Sequence, residues 1–119
     1  MSKILIVDDN AQNLYLARFL LEQNGHEIKE AKNGQEAVDY FKNETADLIL
    51  MDVQMPVMDG ITATKIIKTE IDSMINIVAL TAKAMTGDRE EILSAGCDGY
   101  IKKPIEPDTF VNLVEMYLK

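Results

Sequence analysis

Five polar residues have the types and positions to form one reactive site. Asp8 and Asp9 follow one short apolar run, and Asp52 ends another. Such carboxylates, if they lie together, repel one another at neutral pH and hold either a proton or a cation. Oxygen ligands without histidine or cysteine favour a hard cation. A site with only a small number of protein ligands suits Mg²⁺ better than it suits Ca²⁺. Thr81 adds a hydroxyl and Lys103 an ammonium, so the set could bind a phosphoryl group, with a carboxylate as nucleophile.

Each of these residues also has an ordinary alternative role. A single Asp is commonly a solvated turn residue or a helix N-cap, and a single Lys is commonly a solvated surface residue. The alternative weakens because acidic residues recur at the ends of two apolar runs.

The elements that must position these residues alternate between short apolar runs and helical patterns. Asn10 is a good N-cap for the first helix, and Gly25 supplies its left-handed stop. Pro107 suits the first position of the last helix. The sequence predicts strands at residues 3–7, 26–31, 47–52, 76–80 and 99–101, with helices at about 11–24, after Asn33-Gly34, from Gly60 through Ile71, at about 86–95, and from Pro107.

Strict alternation of strands and helices predicts a parallel sheet covered on both faces. The first strand is highly apolar and the second is polar, which places strand one inside the sheet and strand two at its edge. We therefore predict a doubly wound, flavodoxin-like (βα)5 α/β fold with strand order 2-1-3-4-5. Its switch point lies between strands one and three, flanked by Asp8, Asp9 and Asp52.

Length and composition limit the possible functions. The 119 residues, 47% of them hydrophobic, predict one domain over residues 1–119. A net charge of −8 argues against a nucleic-acid surface, and no apolar run is long enough for a membrane span or a signal peptide.

Cys97 is the only cysteine, which excludes an intramolecular disulfide and is typical of a reducing cytoplasm. His26, the only histidine, is expected to be an exposed strand residue.

Four motifs together resemble the receiver domains of two-component response regulators. They are I-L-I-V-D-D-N at the first strand, D-L-I-L-M-D-V-Q-M-P-V-M-D-G at the third, T-A at the fourth and K-K-P at the fifth. The resemblance covers the whole chain. It implies a module that accepts phosphate from a histidine kinase or a histidine phosphotransfer protein and acts on a downstream protein target, as a monomer or weak dimer.

The resemblance assigns a role to each acidic residue. Asp52 would accept phosphate from a phosphohistidine. Asp9 and Asp52 would bind Mg²⁺ directly, Asp8 would act mainly through water, and the backbone carbonyl of Gln54 would complete the protein ligands. The bond between Lys103 and Pro104 is expected to be cis.

The resemblance also implies roles for the neighbouring polar and aromatic residues. Thr81 and Lys103 would bind the phosphoryl oxygens, and Tyr100 would be the aromatic switch residue that responds to Thr81. Gln54 and Lys83 occupy the positions that tune the lifetime of the phosphoryl group.

Other readings of the same residues remain open. A haloacid dehalogenase-type phosphatase or phosphotransferase also forms an aspartyl phosphate, but such enzymes place a second acid two residues after the nucleophile, where this chain has Gln54. A pseudo-receiver that only binds partners would be expected to lose Asp9, Asp52 or Lys103. The motifs do not distinguish a stand-alone regulator from a hybrid-kinase receiver.

The first helix is predicted to dock the protein that donates phosphate. Successive residues of a helix are about 100° apart, so one side of the first helix forms a stripe that can cover the sheet. Tyr15 and Phe19 point away from this stripe, and Leu14 lies at the far margin of the stripe. The helix begins beside Asp9, next to the site a donor must reach. The alternative is that these are scattered surface residues without function. The predicted stripe contains Asn13, Leu16, Ala17, Leu20 and Asn24, with Leu21 at its margin, and the predicted docking patch contains Leu14, Tyr15 and Phe19.

Overall fold

Five parallel strands pair in the order β2-β1-β3-β4-β5 in the computed structural model, which describes residues 2–53, 58–82 and 86–118. The predicted sheet order is therefore confirmed. Gln54 and Lys83 lie outside the described residues. The strands are β1 (Lys3–Val7), β2 (Glu27–Ala31), β3 (Leu48–Asp52), β4 (Asn76–Thr81) and β5 (Gly99–Lys102).

A helix follows each strand. Asn10 caps the first by accepting hydrogen bonds from the backbone N–H groups of Gln12 and Asn13, and Gly25 follows its end with φ 87°. The longest described helix has 13 residues, and none of the described helices is long and apolar enough to cross a bilayer. The helices are α1 (Ala11–Gln23), α2 (Gly34–Asn43), α3 (Gly60–Ile66), α4 (Thr86–Ser94) and α5 (Pro107–Met116).

The third helix differs from its prediction in the second half. The expected α-helix through Ile71 becomes a π-helical turn over Ile67–Ile71, closed where the N–H of Asp72 donates to the carbonyl of Ile67. The spacing of apolar residues in this segment predicts a helix but does not distinguish the hydrogen-bond pattern of an α-helix from that of a π-helix, which has one more residue in the hydrogen-bonded turn.

The two faces of the sheet are covered by different helices. Successive strand residues point to opposite faces, so even and odd positions of β3 enter different cores. Leu48 and Leu50 pack with α1 and α5, whereas Ile49 and Met51 pack with α2, α3 and α4. The alternation directs Asp52 toward the α1 and α5 face of the sheet edge.

The buried side of α1 is rotated from the predicted stripe. Leu14, Ala17 and Leu21 are buried, Asn24 is exposed, and the stripe residues Leu16 and Leu20 are partly buried. Leu14 is 6% exposed, so its assignment to an exposed docking patch was wrong. Helical spacing defines which residues share a side, but the angle at which the helix meets the sheet decides which side is buried.

His26 is also placed differently from its prediction. It precedes β2, and its side chain is mostly buried with Nε2 2.9 Å from Oε2 of Glu115 on α5. The contact joins residues 89 positions apart in sequence. The local strand pattern could not indicate that α5 covers this position.

Cys97 lies in the core and not at the acidic edge. Its thiol is buried 3.8 Å from Oγ1 of Thr64, and burial raises the pKa of the Cys97 thiol. A buried neutral thiol is a poor nucleophile, so Cys97 has a packing role.

Candidate functional site

Three carboxylates meet at the carboxyl ends of β1 and β3. The strands are neighbours, with Val7 in register with Met51, so the residues that follow lie side by side. One ligand oxygen from each of Asp8, Asp9 and Asp52 lies within 4.8 Å of the others. Asp8 and Asp52 are buried, whereas Asp9 is exposed. The cluster is therefore open to solvent on the Asp9 side.

Asp8 is held at the site by burial and by two neighbouring residues. It is 0% exposed, and Oδ1 accepts a hydrogen bond of 2.9 Å from the backbone N–H of Asn10. Its Oδ2 lies 3.1 Å from Nζ of Lys103. Because Asn10 also caps α1, the carboxylate of Asp8 is tied to the start of that helix.

Lys103 brings the fifth strand to the same edge. Its Nζ is 3.1 Å from Asp8 and 3.4 Å from Asp52, and its backbone N–H donates to the carbonyl of Thr81 at 2.7 Å. The peptide bond from Lys103 to Pro104 is cis, as expected. Among the described residues, Lys103 pairs with two of the three carboxylates, and this one ammonium leaves the cluster with an excess of acidic groups.

The donor set fits a hard divalent cation. All three acids offer oxygen, the residues of the cluster include no sulfur or imidazole, and one acid is exposed. Mg²⁺ prefers oxygen ligands and retains several waters, which suits a cluster with an open side. The remaining negative charge would also be compensated by a cation.

Thr81 and Tyr100 lie on the neighbouring strands. Thr81 is buried at the end of β4, and Ala79, two residues earlier, is in register with Tyr100 on β5. Residues two apart on a strand share a face, so Thr81 and Tyr100 point to the same side of the sheet. Tyr100 is partly buried, which leaves its ring at the boundary between core and surface.

Arg89 contacts the proposed switch residue, and the sequence did not indicate it. Its guanidinium lies 5.5 Å from the centroid of the Tyr100 ring, within the range of a cation–π interaction. Arg89 is on α4 and Tyr100 is on β5, so the contact depends on how that helix packs. No local pattern around Arg89 could have predicted it.

Gly34 is a second residue that sequence reasoning missed. The sequence predicts a helix after Asn33-Gly34, and Asn33 caps that helix by accepting a hydrogen bond from the N–H of Glu36. The N–H of Gly34 also donates to the carbonyl of Met58 at 2.9 Å. This links the start of α2 to the segment between β3 and α3.

The other predicted site residues divide into two groups. Tyr15 and Phe19 are 72% and 47% exposed, and their rings stack with centroids 6.2 Å apart. They form an aromatic pair on the outer side of α1. Gln54 and Lys83 lie outside the described residues, so their assigned roles stay predictions.

Comparison with known proteins agrees with this geometry. The model of the response regulator receiver domain family matches residues 4–115 of this chain. The polar-differentiation response regulator DivK of Brucella anthropi is 41% identical over 116 residues, which are 97% of this chain and 94% of that protein. DivK of Brucella ovis is 40% identical over the same shares.

The chain is also similar in structure to solved signalling proteins. The receiver domain of the sensor histidine kinase PA1611 from Pseudomonas aeruginosa, with a magnesium ion coordinated in its active site cleft, is 34% identical with a TM-score of 0.89, over 98% of this chain and 97% of that one. The chemotaxis protein CheY4 of Vibrio cholerae is 28% identical with a TM-score of 0.93, over 98% of each chain.

Proposed function

The chain belongs to the response regulator receiver domain family of phosphoacceptor signalling modules, and we propose that Asp52 is its phosphoacceptor. The observation that carries this assignment is the position of Asp52, which faces both the other two acids and the ammonium of Lys103. A signalling module of this family is not an enzyme that turns over an independent substrate, so the phosphatase alternative is not favoured.

The surroundings of the three acids favour Asp52 as nucleophile. Asp8 is fully buried, its Oδ1 accepts a hydrogen bond from the N–H of Asn10, and its Oδ2 lies 3.1 Å from Nζ of Lys103 with no hydrogen-bond partner among the described residues. Asp9 is exposed, and the described ion pairs of Lys103 go to the other two acids. Asp52 alone among the three combines contact with Lys103 and a place at the end of the central strand.

The residues that would hold Mg²⁺ are Asp9 and Asp52 directly, Asp8 through water, and the backbone carbonyl of Gln54. When bound, the ion would neutralise charge on the phosphoryl oxygens and on the acids around them. The magnesium in the receiver domain of PA1611 supports this assignment.

In the proposed reaction an oxygen of Asp52 attacks the phosphorus of a phosphohistidine. The new P–O bond forms as the P–N bond breaks, and the electron pair of that bond returns to the imidazole. Lys103 and Thr81 bind phosphoryl oxygens, and both are held at this edge by the hydrogen bond between the N–H of Lys103 and the carbonyl of Thr81. Later attack by water on phosphorus would release phosphate and restore Asp52, so the chain would catalyse its own phosphorylation and dephosphorylation.

Labelling with acetyl phosphate tests the assignment. We expect Mg²⁺-dependent labelling of the wild type and none of Asp52→Asn, because an amide oxygen is a much poorer nucleophile. Asp39→Asn, a substitution of an exposed carboxylate on α2, is the matched control and should label normally. An acyl-phosphate label on Asp52→Asn, or equal labelling of the wild type after chelation of Mg²⁺, would refute the proposal.

The phosphodonor partner is proposed to dock on α1. The aromatic pair Tyr15 and Phe19 is exposed on a helix whose N-cap, Asn10, hydrogen-bonds to Asp8 of the site. A helical donor could cover these rings while its histidine reaches Asp52. With Leu14 buried, the proposed docking patch consists of Tyr15 and Phe19.

The output is proposed to pass through the face formed by α4, β5 and α5. Phosphorylation would draw Thr81 toward the new phosphoryl oxygen and open space for Tyr100, changing the affinity of this face for a downstream protein. The similarity to DivK supports such a regulator, and the similarity to the receiver domain of the sensor histidine kinase PA1611 supports a relay role. A monomer or weak dimer in the cytoplasm is the proposed state.

A panel of purified histidine kinases and phosphotransfer proteins would identify the partner. The cognate donor is expected to transfer phosphate fastest. A set of donors with equal rates would argue against selective docking.

A further inference from the structure

Gly34 lies against the segment that connects β3 to α3. Its N–H donates to the carbonyl of Met58 at 2.9 Å. A Cβ at this position would lie 2.5 Å from the carbonyl oxygen of Met58 and 3.0 Å from that of Asp59. Both are backbone atoms, so a larger residue could be accommodated only by movement of the backbone.

Gly60, the first residue of α3, contacts the opposite end of the same connection, next to β3. The N–H of Gly60 donates to the carbonyl of Val53 at 3.1 Å, and a Cβ on Gly60 would overlap the carbonyl oxygen of Asp52. The N–H of Val53 donates to the carbonyl of Leu80 on β4 at 3.2 Å. Thus the residue after Asp52 is fixed to the sheet and to the start of α3, and Met58 is fixed to the start of α2.

We propose that Gly34 is a positioning residue for the phosphoacceptor site. By holding the carbonyl of Met58 against the first turn of α2, it would fix Met58 next to Asp59, the N-cap of α3. Gly60, the next residue, holds the carbonyl of Val53, so the constraint would reach the residue that follows Asp52. The inference rests on the proposed function of Asp52, and it gives α2 a role in the reaction through backbone placement. Gly34 would act without touching phosphate or Mg²⁺.

A purely structural role makes a different prediction. If Gly34 only allowed α2 to pack, its replacement would lower stability while the folded fraction bound Mg²⁺ normally. If it positions the connection, the folded protein itself would bind Mg²⁺ more weakly. Residues that orient metal ligands from outside the coordination shell typically change metal affinity by about 10–100-fold when they are replaced.

The first experiment measures Mg²⁺ affinity by calorimetry at a temperature where the proteins are folded. We expect Gly34→Ala to bind Mg²⁺ about tenfold more weakly and to be labelled more slowly by acetyl phosphate at limiting Mg²⁺. Gly87→Ala is the matched control, because Gly87 also lies in the first turn of a helix but a Cβ there would have no neighbour within 4 Å among the residues that the structure describes. Wild-type affinity in Gly34→Ala would overturn the proposal.

A second variant separates positioning from stability. Gly25 has φ +87°, so Gly25→Ala introduces backbone strain after α1 without an atom near the added methyl group. We expect it to lower the unfolding midpoint and leave Mg²⁺ affinity unchanged. Equal losses of Mg²⁺ affinity in Gly25→Ala and Gly34→Ala would show that reduced stability explains both, and would overturn the proposal.

The wild-type protein provides a test if Gly34→Ala does not fold. The exchange rate of the Gly34 amide proton can be followed by NMR with and without Mg²⁺. We expect slower exchange with Mg²⁺, because the ion would hold the connection against Gly34. Unchanged exchange at Gly34, despite shifts at Asp52 and Asp9, would refute the inference. Failure of the wild type to label at Asp52 would instead refute the proposed function.

Discussion

At the residue scale, Asp8 and Asp9 show how neighbours of identical type come to differ. Asp8 is buried and receives a hydrogen bond from Asn10 and an ion pair from Lys103, whereas Asp9 is exposed. Adjacent residues at the end of a strand point in different directions. Asp8 is thereby suited to orient Lys103, and Asp9 to meet an ion that enters from solvent.

We expect Thr81 to be needed for the response of Tyr100 to phosphorylation, but not for the phosphorylation of Asp52 itself. Thr81→Ala should still be labelled at Asp52, because Asp52 itself and Lys103 remain. It should lose most of the response of Tyr100, because the hydroxyl that would follow the phosphoryl oxygen is absent. The measurement is the phosphorylation-dependent change in NMR shifts of Tyr100 and Ile101.

Thr69→Ala is the matched control, since it removes the same hydroxyl and methyl from an exposed position. It should respond as the wild type does. Identical shift changes at Tyr100 in the wild type and in Thr81→Ala would exclude this coupling.

At the element scale, α1 connects the site to the outer surface. Its N-cap hydrogen-bonds to Asp8, its buried side packs on the sheet through Leu14, Ala17 and Leu21, and its outer side presents Tyr15 and Phe19. One helix could therefore place a donor relative to the acidic cluster. Tyrosine is enriched at protein interfaces and among the residues that contribute most to binding.

Tyr15→Ala is expected to slow phosphotransfer from the cognate protein donor by about tenfold, equivalent to about 1.4 kcal/mol of lost contact. Labelling by acetyl phosphate should not change, because the small donor needs no docking surface. Stopped-flow or quench-flow transfer rates with both donors provide the measurement.

Met74→Ala is the control for this experiment, because Met74 is 86% exposed between α3 and β4. It should leave both rates unchanged. Equal losses with both donors in Tyr15→Ala would indicate a folding defect, and no loss with either would identify the pair as ordinary surface.

At the scale of the whole molecule, we expect the acidic cluster to couple Mg²⁺ binding to stability. The chain carries a net charge of −8, and three of its carboxylates are gathered at one edge of the sheet. A ligand that binds only the folded state stabilises it, by about 2.7 kcal/mol at a hundredfold excess over the dissociation constant. We expect Mg²⁺ at that excess to raise the thermal unfolding midpoint by roughly 10 °C.

Asp9→Asn should reduce this Mg²⁺-dependent shift while it keeps the contacts of Lys103 with Asp8 and Asp52. Thermal unfolding followed by circular dichroism at constant ionic strength gives the measurement. Asp39→Asn is the control and should retain the full shift. The metal assignment fails if Asp9→Asn also retains it.

The sequence alone was sufficient for the sheet order and for the core of the site. Short apolar runs that alternate with helical patterns limit the topology to a few parallel arrangements, and the polarity of β2 places it at the edge. Residues at the ends of such strands must meet at one edge of the sheet. For this reason Asp8, Asp9, Asp52 and Lys103 could be grouped from their positions in the chain.

The tertiary structure decided which way each helix faces and which distant residues meet. The rotation of α1 buried Leu14, α5 covered His26 with Glu115, and α4 placed Arg89 over Tyr100. The contact of Gly34 with Met58 likewise depends on how α2 docks beside the segment after β3. These contacts join elements separated along the chain, and their geometry follows from side-chain packing that no local pattern specifies.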